Sequence, residues 1–235
     1  GVARVGFPGT RTGEVSMFDL LKESFRQNPD YVIVGEVRGE EASIMFQGMA
    51  SGHTSISTMH AGSVDDVLKR LQTRPISLPP SLMETLDLIV LMIHAREKGK
   101  SARRVKEIVE IERVDPETNK VQASKIFEWI PATDKFEYRG VSQVLSKISE
   151  GRGISMDMVF QEIKIRKAVL EWLANYEMKD WKEIAKYITL YYRNKEKVLR
   201  AMKIRIPKRH SFEGIEKTEV APEIETSSEE ESEEH

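Results

Sequence analysis

The chain contains no cysteine, which excludes a disulfide framework and a thiolate zinc site and suits a reducing cytoplasm. It has no apolar run near the length of a membrane span. The longest, residues 86–94, is short and interrupted by Asp87, so it reads as a buried strand. Neither an initiator Met nor a charged-then-apolar leader opens the sequence, which begins Gly1-Val2-Ala3-Arg4. A phosphate-cradling loop is also missing. Gly99-Lys100-Ser101 imitates the end of one, but the position that should hold the first Gly is His94, and Arg103-Arg104-Val105 leads into a strand rather than a helix. The cluster Gly6, Gly9 and Gly13 precedes no lysine until Lys22 and fails the same pattern.

What is present suffices for a real core: 235 residues, 40% of them hydrophobic, enough for one large or two small domains. The net charge of −2 conceals an asymmetry. Residues 213–235 hold ten Glu against one Lys, a net −9, which leaves about +7 on residues 1–212. A mildly basic folded part therefore carries an acidic appendage, which bears on solubility and partners rather than on fold.

Periodicity divides the chain into an α/β part and a helical part. After a turn-rich segment at residues 6–13, Ser16 with Asp19 three residues on caps a helix running to about Gln27, and Asn28-Pro29-Asp30 breaks it. Residues 31–34 form a short aliphatic strand of the kind found in a parallel sheet covered on both faces. Residues 40–49 and 64–72 have helical spacing, and residues 54–58 are a second strand. Pro80 precedes a short helix at 81–86. Strands follow at 88–94, 104–113, 121–130 and 136–138, with Asp115-Pro116-Glu117-Thr118-Asn119 as a hairpin turn. From Val141 onward helices are expected at 141–150, 155–176 and 180–203. In the second of these, Val159, Ile163, Leu170 and Leu173 make an apolar stripe suited to packing on the α/β part. Beyond Pro207 the acidic, Ser-containing tail has no apolar periodicity and is expected to be disordered. The domain expectation is 1–140, 141–206 and a tail at 207–235.

Two segments carry chemistry. Asp30-Tyr31-Val32-Ile33-Val34-Gly35-Glu36-Val37-Arg38 is an apolar run that stops at a glycine and delivers an acid just past the strand end. Glu36 there can orient a water for in-line attack on a terminal phosphate, or merely pair with Arg38. The segment Gly52-His53-Thr54-Ser55-Ile56-Ser57-Thr58-Met59-His60 ends a second strand in a histidine, where a neutral imidazole can contact a phosphate oxygen or hold the attacking water. His53, His60 and Glu36 do not have the spacing of a structural metal site. A basic stretch from Arg193 to Arg209, interleaved with Tyr191 and Tyr192, suits nucleic acid less well than a solvated helix face balanced by the acidic tail.

With these residues in hand, the chain resembles the type II/type IV secretion-system ATPases, and most of all the archaeal branch that drives archaellum and pilus assembly. Residues 26–38 resemble that family's atypical Walker B segment and residues 52–61 its histidine box. Arg70-Leu71, Pro75-Ile76, Leu86-Asp87 and the strand beginning Arg103-Arg104-Val105 follow in the family's order. The resemblance covers residues 13–113, with the helical part to about residue 200 fitting more loosely. It implies an α/β fold with a RecA-like P-loop NTPase core, of which this would be the C-terminal part with a mostly parallel sheet, followed by a helical region. It further implies ATP and Mg²⁺ as ligands, a hexameric ring with ATP near subunit interfaces, a membrane platform protein as partner, and a cytoplasmic place against the inner face of the membrane. Glu36 would be the catalytic acid and would serve the magnesium shell, His60 would contact phosphate, and Arg38, His53 and Arg26 would support nucleotide binding. In this family the phosphate loop precedes the Walker B strand, so it would lie upstream of Gly1, in frame or as a separately encoded ATPase half, and this chain alone would not turn over ATP. Alternatives are a conjugation or DNA-uptake relative and a non-catalytic subunit docking on a complete ring. Nucleic acid ranks last as a partner.

Overall fold

A computed structural model describes residues 15–97 and 100–204, and it divides into two compact units, 1–144 and 145–235. The glycine-rich segment at 6–13 and the acidic tail lie outside the described residues. In the first unit, Ser16 caps helix α1 (Met17–Arg26) by accepting from the Asp19 amide at 3.1 Å, while the Asp19 carboxylate accepts from the Ser16 amide. This reciprocal box satisfies donors that a helix start otherwise leaves to water. Strand β1 (Tyr31–Val34) then pairs in parallel with β2 (Thr54–Ser57), Val34 opposite Ser57, and helix α2 (Glu41–Ala50) makes the crossover.

Pleating divides β1 between two environments. Val32 and Val34 are buried against Leu21 of α1 and Ala42, Met45 and Phe46 of α2, whereas Ile33 on the other face is 73% exposed and Tyr31 64%. The expectation of a strand covered on both faces is therefore wrong for the described residues: helices cover one face only. Where α1 meets α2, a Cβ on Gly48 would stand 2.0 Å from the Phe25 ring, so the missing side chain is what seats that ring. Helix α3 (Val64–Gln72), capped by Ser63, adds Leu71 to the same core, with Ile76 and Leu78 of the following loop and Met83 of the short α4 (Pro80–Met83). Pro80 is the first residue of α4 rather than its predecessor.

The remaining strands do not extend the parallel pair. β3 (Leu88–Glu97), β4 (Lys100–Val114), β5 (Val121–Ile130) and β6 (Lys135–Tyr138) form a separate antiparallel meander in sequence order. The mostly parallel sheet expected from the sequence is thus corrected: two described strands are parallel and four antiparallel. Short turns explain this, since parallel neighbours need a long crossover and the four strands are joined by hairpins. Asp115 builds one of them, its carboxylate accepting from the amides of Glu117 and Thr118. Lys100, of the triplet that imitates a phosphate loop, opens β4, opposite Glu97. Inside β4, Glu110 is buried, as are its chain neighbours Val109 and Ile111. Its carboxylate accepts from the Ser142 hydroxyl and from the amides of Gln143 (2.6 Å) and Val144 (3.3 Å), at the start of α5 (Gln143–Arg152). A negative charge on the open N–H groups of a helix start is the favourable arrangement.

The second unit takes in α5 from Leu145 onward, then α6 (Met156–Asn175), α7 (Trp181–Arg193) and α8 (Lys195–Ala201). The single helix expected over 180–203 breaks at Asn194, whose side chain caps α8 by accepting from the Lys197 amide at 3.1 Å. Of the stripe expected on α6, Val159 and Leu173 are buried, Ile163 is half-buried and Leu170 is not buried. Ile165, Val169 and Leu173 are buried with Tyr191, Val198, Leu199 and Met202, while Leu170 is 58% exposed. That core lies within the helical unit, between α6 and the α7–α8 pair. At its margin Glu162 accepts from Arg166 (2.9 Å), from the Tyr191 hydroxyl (2.9 Å) and from Lys195. Burial pushes Glu162 up, but these three donors outweigh it and carry its pKa from 4.5 to about 2. Burial and the bond to Glu162 push Tyr191 up to about 12. Among the described residues no helix is long and apolar enough to cross a membrane.

Candidate functional site

The C-terminal ends of β1 and β2 are fastened to each other beyond the last ladder pair. The Val37 amide donates to the Thr58 carbonyl at 3.0 Å, and the Thr58 hydroxyl donates to the Gly35 carbonyl at 2.5 Å. Because both strands run the same way, the loops leaving them emerge at one edge, and these two bonds hold the loops side by side. Nothing stands within 4 Å of where a Gly35 Cβ would lie, so the backbone there is open to approach.

Glu36 and His60 meet at that edge, His60 Nε2 standing 3.6 Å from Glu36 Oε1. The other carboxylate oxygen, Oε2, accepts from the Arg38 guanidinium. Arg38 is in turn steadied through its backbone: its amide and that of Gly39 donate to Glu41 Oε1 at 2.6 and 2.9 Å, at the entry to α2. The Glu36 side chain is 23% exposed, against 75% for Arg38 and 89% for His60. The Arg38 hydrogen bond holds the Glu36 carboxyl below the usual carboxylate range, partial burial opposes that, and His60 adds a smaller downward pull. Glu36 is therefore an ionised acceptor at neutral pH. Its Oε1, with only a long approach from His60, is the oxygen left to orient a water.

These residues line a cleft of about 310 Å³ together with Val37, Met59, Arg70, Thr73, Arg74, Pro75 and Ile76. Arg70 lies in the last turn of α3 and Arg74 just past it, next to a cis Arg74–Pro75 peptide bond. The residues lining the cleft thus include one acid, one histidine and three arginines. Sequence reasoning noted Arg70 only as part of a pattern and missed Arg74, because nothing local reveals that the end of α3 folds back beside the ends of β1 and β2.

Two residues expected to support nucleotide binding, His53 and Arg26, do not line this cleft. His53 stands before the first residue of β2, at the end of the strand opposite His60. Its ring lies edge-on to Phe25 with centroids 5.0 Å apart, and its Nδ1 is buried without a partner among the described residues. Arg26 ends α1, ahead of β1, where it pairs with Glu23 at 2.9 Å on the surface. A strand of only four residues suffices to separate the two ends of each motif. Among the described residues no three His, Asp or Glu side chains gather as a metal cage. Of the basic stretch, Lys195 binds Glu162, Arg200 pairs with Glu196 at 3.3 Å and Tyr191 is buried, while Arg205, Lys208 and Arg209 lie outside the described residues.

A family described as type II/IV secretion system protein matches residues 2–213. The chain belongs to that family. Two uncharacterized proteins of Methanocaldococcus jannaschii are similar to it. One is 40% identical over 191 residues, 81% of this chain and 70% of its own length, and the other 34% identical over 188 residues, 78% of this chain and 34% of its own length. The type IV secretion system protein PtlH of Bordetella pertussis is 38% identical over 105 residues, 40% of this chain and 31% of that protein. The secretion-family chain therefore spans about a third of the length of two of these relatives. The family resemblance read from residues 26–38 and 52–61 is borne out at the level of the family.

Proposed function

We propose that this secretion-family chain is the C-terminal part of an ATP-driven motor for protein export or for archaellum or pilus assembly, and that the cleft at the end of β1 and β2 is its share of the nucleotide site. The observation that carries this reading is the meeting of Glu36 and His60 at 3.6 Å in an arginine-lined cleft. In it, Glu36 orients the water that attacks the terminal phosphate, and His60 contacts a phosphate oxygen. A depressed carboxyl is a weak proton acceptor, so Glu36 acts by positioning water more than by removing its proton. Arg38 holds Glu36 ionised and aimed. His53 and Arg26, away from the cleft, act at most through the fold of α1 and β2.

The residues present fit Mg²⁺ only as a partial shell. Magnesium is commonly held by one or two carboxylates together with phosphate oxygens and water, and Glu36 is the one carboxylate in the cleft. When bound with ATP, the ion supplies charge neutralisation on the phosphates. A RecA-like core, a hexameric ring, a membrane platform partner, a cytoplasmic membrane-peripheral place and the 1–140, 141–206 and 207–235 division belong to the same proposal. The archaeal assignment is supported by the two Methanocaldococcus relatives.

The sequence carries no phosphate-cradling loop, so we expect the purified chain to release no phosphate from ATP. Supplied with a family chain bearing that loop, whether joined upstream or added separately, it should do so, and Glu36→Gln should abolish the gain. A gain that Glu36→Gln leaves intact would exclude the catalytic reading and favour a docking subunit.

A further inference from the structure

Arg70 and Arg74 are cationic residues that line the cleft of Glu36 and His60 and have no assigned role. Both are exposed and line the same cleft as Glu36, and among the described residues neither makes an ion pair or a side-chain hydrogen bond. This sets them apart from the arginines whose partners are plain: Arg26 with Glu23, Arg38 with Glu36, Arg139 with Glu128, Arg166 with Glu162 and Arg200 with Glu196. A cation in the last turn of a helix interacts favourably with the helix dipole, which accounts for Arg70 in part. Arg74 lies past the end of α3, beyond that effect. Three guanidinium groups against one carboxylate give the cleft an excess of positive charge, and planar, multiply donating guanidinium groups are matched to phosphate oxygens.

We propose that Arg70 and Arg74 are direct phosphate-contacting residues, so that the cleft takes an extended phosphate chain between them and the Arg38–His60 side. This deepens the nucleotide reading but can fail separately from it. The charge arrangement also gives a sign for Glu36: as the one anion in the cleft it opposes phosphate binding, although catalysis needs it.

The test is titration of the full 235-residue chain with inorganic tripolyphosphate at low salt, by calorimetry, and with ATP in a parallel arm. Arg70→Gln and Arg74→Gln should each weaken tripolyphosphate binding about tenfold, as loss of a charge-assisted hydrogen bond does. The double variant should show no measurable binding. Arg200→Gln, which removes the same charge from a surface pair in the helical unit, should change affinity less than twofold. Glu36→Gln should tighten binding. ATP binding as tightly as tripolyphosphate means that the phosphate chain alone is read, and tighter ATP binding means that the base is read too; both support the proposal. Absence of tripolyphosphate binding, or equal losses in Arg74→Gln and Arg200→Gln with all variants melting together, overturns it. Should Glu36 govern ATP turnover in the supplemented system while the arginine variants bind normally, this inference falls and the nucleotide reading stands. Arginine-dependent binding with turnover indifferent to Glu36→Gln means the reverse.

Discussion

Two carboxylates, Glu36 in the first unit and Glu162 in the second, are each met by an arginine and a further cationic or ionisable side chain, yet they serve opposite ends. Glu162 accepts from three side chains and sits where α6, α7 and α8 converge, so its lone pairs are occupied and its partners are held by packing. Glu36 accepts fully from one, Arg38, and its second oxygen faces a 3.6 Å approach from an almost wholly exposed histidine. The same chemical groups make a structural lock when every acceptor is filled and leave an open acceptor when one is not.

Exchanging the roles of the two acids is the most direct way to break that comparison. Glu36→Gln should cost a phosphate-loop-supplemented system at least about a hundredfold in ATP turnover, the range expected for loss of an acid–base or water-positioning group. Glu162→Gln should leave that turnover within a few-fold. In stability the order reverses. Glu162→Ala strands Lys195, Arg166 and Tyr191, and a partly exposed network of this kind is expected to cost about 1–2 kcal/mol, measured by denaturant unfolding of the whole chain. The acid limb of the unfolding curve sharpens the same point. Because Glu162 is depressed from 4.5 to about 2 on folding, its contribution is complete above pH 4.5 and disappears as the pH falls toward 2. Glu162→Gln should flatten the stability profile in that window. A smaller effect separates packing from charge. Gly48→Ala gains helix propensity but drives a methyl into the Phe25 ring, for a net loss of about 1 kcal/mol. Smallest of all, Glu36→Gln should move the unfolding midpoint by less than about one degree, since a surface pair such as Arg38–Glu36 contributes little.

Local chemistry made much of this legible in advance. The Ser16–Asp19 box, the span of α3, the limits of β5 and the Asp115 turn are each written into a few neighbouring residues. So was the placing of Glu36 and His60 just past two strand ends, because each follows a strand directly; their meeting then follows from β1 and β2 running parallel. What was misread depends on distant neighbours. The aliphatic run of β1 speaks for two covered faces, but coverage is decided by which helices return to it. Asn194 breaks a pattern that reads as continuous because a cap looks like any polar surface residue until the chain turns there. Arg74 joins the cleft only because the loop after α3 comes back to the segments that follow β1 and β2. Glu110 did leave a signal, an acid inside the run Ile108, Val109, Ile111, where a charge survives only if several donors reach it.

The uncovered side of β1 and β2 has a practical consequence for anyone handling the chain. Tyr31, Ile33 and Ile56 form an oily strip on a two-stranded ribbon whose outer rims are unpaired among the described residues. Such a ribbon is a template on which identical ribbons can stack or zip. Particle size and every affinity measured on this polypeptide should therefore drift with protein concentration. A dilution series is the first control to run, and Ile33→Lys, which places a charge on the strip without touching the buried valines, should remove the drift.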